Sequence, residues 1–330
     1  MRTFKLPKGE PLLNIASHAR GGSRAADRLT PAQIEHIRLT VNRAPEVMVK
    51  VLSRGSSDLK AVGRHFDYIG RQGDLALEGD DGYPLHGQVG KALIGDWGLD
   101  IDELRPQANL TVSPTRKPMK LVHKLVLSMP AGTPSQKVLS AARNFAREEF
   151  HGQHRYAMVL HTDESHPHVH LVLRAISEDG RRLNIKKATL RHWRSQFARH
   201  LRGLGVAANA TERAVRGESI SAMKDGIYRA SLRGDSTHER ARAEGVAREL
   251  AASGTVRPEP GKRSLLATRA AIQHGWQSIA AKLVLHGDRH LAADVARFAG
   301  GVARPLTDRE WLAQELMTSV RAPQRGAKTR

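Results

Sequence analysis

Residues 155–176 read RYAMVLHTDESHPHVHLVLRAI. Two apolar runs, Arg155 to His161 and His168 to Ile176, flank the polar, proline-containing stretch Thr162 to Pro167, which is the pattern of an antiparallel hairpin. Side chains two apart on a strand share a face, so His168 and His170 point the same way. His161 closes the first strand and lies across from His168. Three imidazoles then converge on one face of a rigid sheet, and histidines set among aliphatic neighbours need a partner for their ring nitrogens. Imidazole suits divalent transition metals, and three protein ligands with open positions is the pattern of a catalytic metal site. His166 sits in the turn between the ligand positions and is left out of the set. Asp163, two residues past His161, admits two readings: a carboxylate that orients a ligand or takes a proton, or an Asx-type turn residue at the hairpin tip.

Outward from the hairpin, strands and helices are interspersed. Glu46 to Ser53 alternates Val47, Val49 and Val51 against Met48, Lys50 and Leu52, and Lys120 to Met129 is a second clear strand. Helices are expected over residues 59–71, 88–97, 134–150 and 187–204, the last stepping through Leu190, Trp193, Phe197, Leu201 and Leu204. Residues 98–118 read as a long loop, and Glu78 to Gly82 as a turn. Thr30-Pro31-Ala32-Gln33 has the form of a capping box opening a short helix. Past residue 235 only helices are expected, with capping-box starts at Ser236 and Thr307. The fold class is therefore α+β: a basic arm and short helix at 1–43, an α+β domain at 44–235, and a helical region at 236–330 ending in a basic tail.

Lys and Arg total 53 against 33 Asp and Glu, a net charge of +20 spread along the whole chain. Such a field favours a polyanionic partner, nucleic acid first. With no cysteine, thiol catalysis, disulfides and zinc ribbons are excluded, and a reducing cytoplasm is the expected setting. No apolar run reaches bilayer length, and the first residues lack a signal-peptide pattern, so no stable membrane insertion is expected.

A three-histidine metal site in a basic, cysteine-free protein points to phosphodiester chemistry, with a hydroxyl as attacking group. A phenol ionises more readily than an alcohol and leaves more readily in reverse, which favours tyrosine. There are four. Tyr156 lies within a strand, Tyr83 precedes a proline in a turn, and Tyr228 lies beyond the histidine strands. Tyr68 lies on a helix whose apolar stripe is Val62, Phe66 and Ile69, flanked by Arg64 and Arg71. It projects beside that stripe, where either a scissile phosphate or a core contact would meet it.

In order along the chain stand His65-Phe66-Asp67-Tyr68-Ile69, then Val126-Leu127-Ser128-Met129-Pro130, then His161-x-Asp163-x-x-x-Pro167-His168-x-His170. This order resembles the relaxases, or mobilisation nucleases, of the His-hydrophobe-His endonuclease superfamily. The likeness is greatest to the branch containing the relaxases of tumour-inducing and broad-host-range plasmids. It spans about residues 46–215. The resemblance implies an antiparallel sheet of about five strands with the metal hairpin at its centre and helices on one side.

It also implies roles for individual residues. Tyr68 would attack a phosphate at the transfer origin and keep a 5′-phosphotyrosyl link. His161, His168 and His170 would hold Mg²⁺ or Mn²⁺. Ser128, otherwise a strand-end turn residue, would contact the DNA near the nick. Arg64, Arg71 and Lys124 would line the DNA, with Arg191, Arg194 and Arg202 on the helix over 187–204 forming either a phosphate-tracking face or a solvated one. Partners would be origin DNA, accessory relaxosome proteins, and a coupling protein with a type IV secretion apparatus, in a bacterial cytoplasm and with transfer to a recipient cell. A rolling-circle initiator or transposase of the same superfamily, or a non-catalytic DNA-binding protein, are the competing readings. The tyrosine's place ahead of the histidines favours a relaxase over an initiator.

Overall fold

The computed structural model describes residues 29–52, 57–104, 119–219, 223 and 225–321. The expected basic arm at the N-terminus and the end of the basic tail lie outside the described residues. The chain divides into two compact units: Asn42–Ala210 forms the body of one, and the segment ending at Val41 joins the residues from Thr211 onward in the other.

The first unit is built on one sheet of six strands: β1 (Met48–Leu52), β2 (Leu77–Gly79), β3 (Pro84–Leu85), β4 (Val122–Ser128), β5 (Tyr156–His161) and β6 (His168–Arg174). Their order is β1-β4-β6-β5-β2-β3, and every pairing is antiparallel. The histidine hairpin β5–β6 therefore lies in the interior of the sheet, with β4 on its other flank. The short strands β2 and β3 come from the segment read as a turn, where only two or three residues pair on each side.

Helices cover both faces of the sheet, which corrects the expectation of packing on one side. The cause is visible in β4 and β6, whose side chains are apolar at both parities and so need burial on both faces. One face sets Leu125, Leu127, Val169 and Leu171 against α5 (Ser135–Phe150) and α6 (Lys187–Gly203) through Phe145, Trp193 and Phe197. The other sets Val122, Val172, Ala157 and Val159 against α2 (Leu59–Ile69), α3 (Gly90–Asp96) and Leu99 of α4 (Leu99–Leu104). The short helix α4 stands in the stretch expected to be loop, since Leu99 finds full burial there. Phe66 and Trp97 meet edge to face at 5.3 Å, and both are fully buried. Each such side chain contributes roughly 1.5–3 kcal/mol by leaving water.

Helix α2 owes its start to Asp58, whose side chain accepts from the Ala61 amide, and stops at Gly70. Its crossing with α3 is closed by two glycines. A methyl on Gly90 would strike the Gly63 carbonyl, so only glycine admits this approach. The tyrosine helix thus lies close on the sheet face that carries the histidines.

In the second unit α1 (Pro31–Val41) packs with α10 (Lys262–Leu285) and α11 (Arg289–Gly300) around Ile37, Trp276, Ile279 and Val295. The box at Thr30 is formed in both directions: the Thr30 amide donates to Gln33 Oε1 at 3.0 Å, and the Gln33 amide to Thr30 Oγ1 at 3.2 Å. Between these lie α7 (Arg213–Arg216), α8 (Asp225–Leu232) and α9 (Thr237–Ser253), the last packed with α12 (Asp308–Arg321). No helix among the described residues is long and apolar enough to cross a membrane.

Candidate metal and nucleophile site

The register of the sheet assembles the site. His161 pairs with His168, His168 pairs with Ser128, and Ser128 pairs with Met48, giving one row across four strands. His170 stands two residues along β6, between Val126 and Val159. Directly opposed residues share a face, so Ser128 and all three histidines project on the side covered by α2.

The imidazole rings of His161, His168 and His170 lie 4.6–5.2 Å apart between centroids. One nitrogen from each falls within 4.8 Å of the others, a donor set able to share one cation. Two rings have their outer nitrogen engaged by backbone. His161 Nε2 donates to the Ile69 carbonyl at 2.7 Å, and His168 Nδ1 to the His166 carbonyl at 3.3 Å. Such bonds fix the tautomer and leave the other nitrogen with its lone pair outward, as a ligand requires. His170 Nδ1 is buried and has no hydrogen-bond partner among the described residues. Burial pushes His170 down to about 3, with repulsion from His161 and His168 adding to it, and burial lowers His161 as well. Neutral imidazoles at physiological pH are the form that binds a metal. The donor chemistry, the two fixed tautomers and the lowered pKa values of His161 and His170 all fit a divalent cation.

Tyr68 reaches this cluster through two neighbours. Its ring stacks on His65 at 6.4 Å, and His65 in turn meets His170 edge-on at 6.3 Å. On the other side the Arg71 guanidinium lies 5.6 Å from the centre of the Tyr68 ring. Arg71 also donates toward His161 Nδ1 at 3.3 Å and forms an ion pair with Asp163. A cation held through that Nδ1 requires the guanidinium to give way, and the Asp163 carboxylate supplies it a counter-charge to rest on. Asp163 itself is half exposed, and its Oδ1 lies 4.0 Å from His161 Nδ1. Tyr68 is 55% exposed, so it is not a core residue and its ring is open to a ligand.

His65 is the participant that sequence reasoning passed over. Its position three residues before Tyr68 puts both on one flank of α2, and that spacing was the available signal. Burial first, then the charge of Lys124, pushes its pKa down to about 4, and its Nε2 is buried without a partner among the described residues.

The basic residues expected along DNA fall into separate groups. Arg64 is exposed on α2, the helix of Tyr68, and Arg71 is at the cluster. Lys124 points to the same face as His170 but is 4% exposed, and burial lowers its ammonium pKa. Arg191, Arg194 and Arg202 belong to α6, which covers the opposite face of the sheet. There Arg194 donates to the Val49 carbonyl at 3.4 Å, and Arg202 to the Ala208 carbonyl at 2.8 Å. The geometry does not bring these three to the histidines.

A six-stranded antiparallel sheet with three converging imidazoles on an inner hairpin defines the class, and residues 87–203 match the family model of the relaxase MobA/VirD2-like nuclease domain. Over these residues the chain is similar to that relaxase family. The chain is similar to the T-DNA border endonuclease VirD2 of Rhizobium rhizogenes, 24% identical over 204 residues, 53% of this chain and 42% of the relative. It is likewise 24% identical over 204 residues to the T-DNA border endonuclease VirD2 of Agrobacterium fabrum (strain C58), covering 53% and 41%. The match thus spans less than half the length of these relatives. The family-model match contains the histidine hairpin and Ser128 and begins after the tyrosine helix.

Proposed function

We propose that this chain nicks and rejoins one DNA strand at a transfer origin by tyrosine transesterification, and so starts conjugative mobilisation of a plasmid or integrative element. The observation that carries the reading is the placement of Tyr68, half exposed, between His65 and Arg71 at the edge of the histidine cluster. The relaxase family match and the strongly basic composition support it.

The chemistry follows from these groups. The Tyr68 oxygen forms a bond to phosphorus as its phenol proton leaves. The bond from phosphorus to the 3′-oxygen breaks, and that oxygen takes up a proton. The products are a 5′-phosphotyrosine and a free 3′-hydroxyl. One phosphodiester bond replaces another, so the reverse reaction reseals the strand without an added energy source. A divalent ion, Mg²⁺ or Mn²⁺, held by His161, His168 and His170 would polarise the non-bridging oxygens. Arg71 adds positive charge beside the phosphate, with Asp163 holding its guanidinium in place. His65 packs against the ring of Tyr68 and keeps it turned to the cluster. Ser128, beside His168 in the row, contacts the strand near the nick. The partners proposed are origin DNA, accessory DNA-binding proteins, and a coupling and secretion apparatus, with nicking in the bacterial cytoplasm.

The test is mass spectrometry of the peptide attached to a cleaved single-stranded oligonucleotide. The expected adduct is on Tyr68, and Tyr68→Phe forms none. An adduct on another residue, or cleavage that persists after metal is removed, overturns the assignment.

A further inference from the structure

At the end of the hairpin away from the histidines, the turn between α5 and β5 and the loop after β6 enclose a cavity of about 600 Å³. Along β6, His168 and Arg174 are six residues apart, about 20 Å, so this cavity is separate from the metal cluster. Its walls are fastened by backbone: the Glu178 amide donates to the Gln153 carbonyl at 2.9 Å, and the Ser177 amide to the Arg181 carbonyl at 2.7 Å. The apolar wall, Leu183, is held at its carbonyl by His123 Nε2 at 3.1 Å. The cavity is thus preformed, and its volume lies within the range of ligand pockets, about 300–1,000 Å³.

The polar lining divides into acceptors and donors. His154 is 6% exposed, and its Nδ1 donates to the Arg174 carbonyl at 3.0 Å. Nε2 then carries the lone pair, and it makes no hydrogen bond among the described residues. Burial lowers the pKa of His154, which favours this neutral form. Glu178 presents a half-exposed carboxylate, with Oε1 3.5 Å from Arg174 Nη1. That guanidinium is already bound through two nitrogens to Asp102. Arg181 is the donor: Asp179, itself bonded by the Ser177 hydroxyl, holds Arg181 Nε at 3.0 Å. Its two terminal nitrogens have no partner among the described residues.

A planar ring with adjacent N–H donors on one edge and two acceptors on another fits this set, and among the bases that ring is guanine. Its N1–H and N2–H₂ donate to a carboxylate, and its O6 and N7 accept from a guanidinium fork. Adenine, cytosine and thymine lack that pair of edges. We propose that this cavity binds a guanine nucleotide, with Glu178 and His154 Nε2 accepting from N1–H and N2–H₂ and Arg181 donating to O6 and N7. The same groups recognise guanine in a free nucleotide and at an unpaired position of a DNA strand.

The experiment titrates the full chain, without metal, with dGMP, dAMP, dCMP and TMP by calorimetry and saturation-transfer NMR. A second arm titrates thymine tracts with and without one guanine, at a salt concentration that suppresses contacts to phosphate. Guanine is expected to bind about tenfold more tightly than the other bases and to shift the ¹⁵N resonance of His154 Nε2. Preference in the tracts alone assigns the site to a strand, and preference for dGMP assigns it to the free nucleotide. Glu178→Gln, at an exposed side chain, brings dGMP or the guanine tract down to the affinity of its competitors and leaves the urea midpoint unchanged. Equal binding throughout both arms overturns the proposal, as does a guanine preference that Glu178→Gln retains. No metal and no Tyr68 adduct enter these measurements, so either result leaves the nicking reading as it stands.

Discussion

His123 offers a quantitative test of how the sheet is held. It lies on β4 on the face turned to α6, is 6% exposed, and bonds the Leu183 carbonyl through Nε2 at 3.1 Å. Its Nδ1 has no partner among the described residues. Burial pushes its pKa down from 6.5 to about 4, with the charges of Lys120 and Arg182 adding to the shift against the raising effect of the Leu183 bond. A histidine lowered on folding supports the fold fully above its unfolded pKa, and that support is lost as pH falls from about 6.5 toward 4. For this shift the loss is about 2 kcal/mol at pH 5 and about 3 kcal/mol at pH 4. His123→Gln keeps an N–H in the place of Nε2 but cannot take up a proton. His65, His161, His170 and His200 are also lowered but are not among the groups that act on His123, whereas His154, lowered too, repels it and shares part of the difference. The difference between wild type and His123→Gln therefore reads His123 together with its repulsion of His154. Amide exchange of β4 and β6 peptides across a urea series, at pH 7.5 and at pH 5, reads the stability of this unit within the full chain. The expected result is that wild type loses about 2 kcal/mol more than the variant between the two pH values. Parallel losses in the two proteins refute the argument that a buried neutral His123 sustains the sheet.

Further outcomes follow from the site and its supports. Mn²⁺ at a hundred times its dissociation constant should stabilise the wild type by about 2.7 kcal/mol in thermal unfolding. His168→Ala should abolish that gain and His166→Ala should retain it; equal gains in all three proteins would remove the histidines from the metal. Gly90→Ala should force α2 away from α3, with a loss of about 1–3 kcal/mol and a lower yield of the Tyr68 adduct. An unchanged urea midpoint would show that the glycine contact is not tight. Asp163→Asn, which weakens the hold on Arg71, should lower adduct yield while the protein stays folded, because the Asp163 side chain is half exposed. Wild-type yield would dismiss the ion pair.

The hairpin and the tyrosine helix were legible because each is written in a short period. Two residues separate His168 from His170, and the stripe of Val62, Phe66 and Ile69 leaves Tyr68 on its flank. What crosses between elements was not. Nothing local says that the helix of Tyr68 would lie on the same sheet face as the histidines, or that His65 would fill the space between them. Lys124 looked like a surface cation in the sequence, but alternation along β4 turns it under the helices. The arginines of α6 form a basic stripe at helical spacing, yet the sheet lies between that helix and the histidines. The capping box at Thr30 likewise marked α1 but could not show that its core partners, Trp276 and Ile279, lie more than two hundred residues away.

The bond from His161 to the Ile69 carbonyl joins a proposed metal ligand to the residue directly after Tyr68, the proposed nucleophile. A peptide plane is rigid, so a rotation of the imidazole is passed to the backbone that carries Tyr68, and a shift of the tyrosine is passed back to the ring. If the three histidines hold an ion as proposed, ion affinity and tyrosine position are two readings of one mechanical part. Linkage requires the coupling to be reciprocal: if a DNA end attached to Tyr68 changes the affinity for the ion, the ion changes the equilibrium of attachment by the same factor.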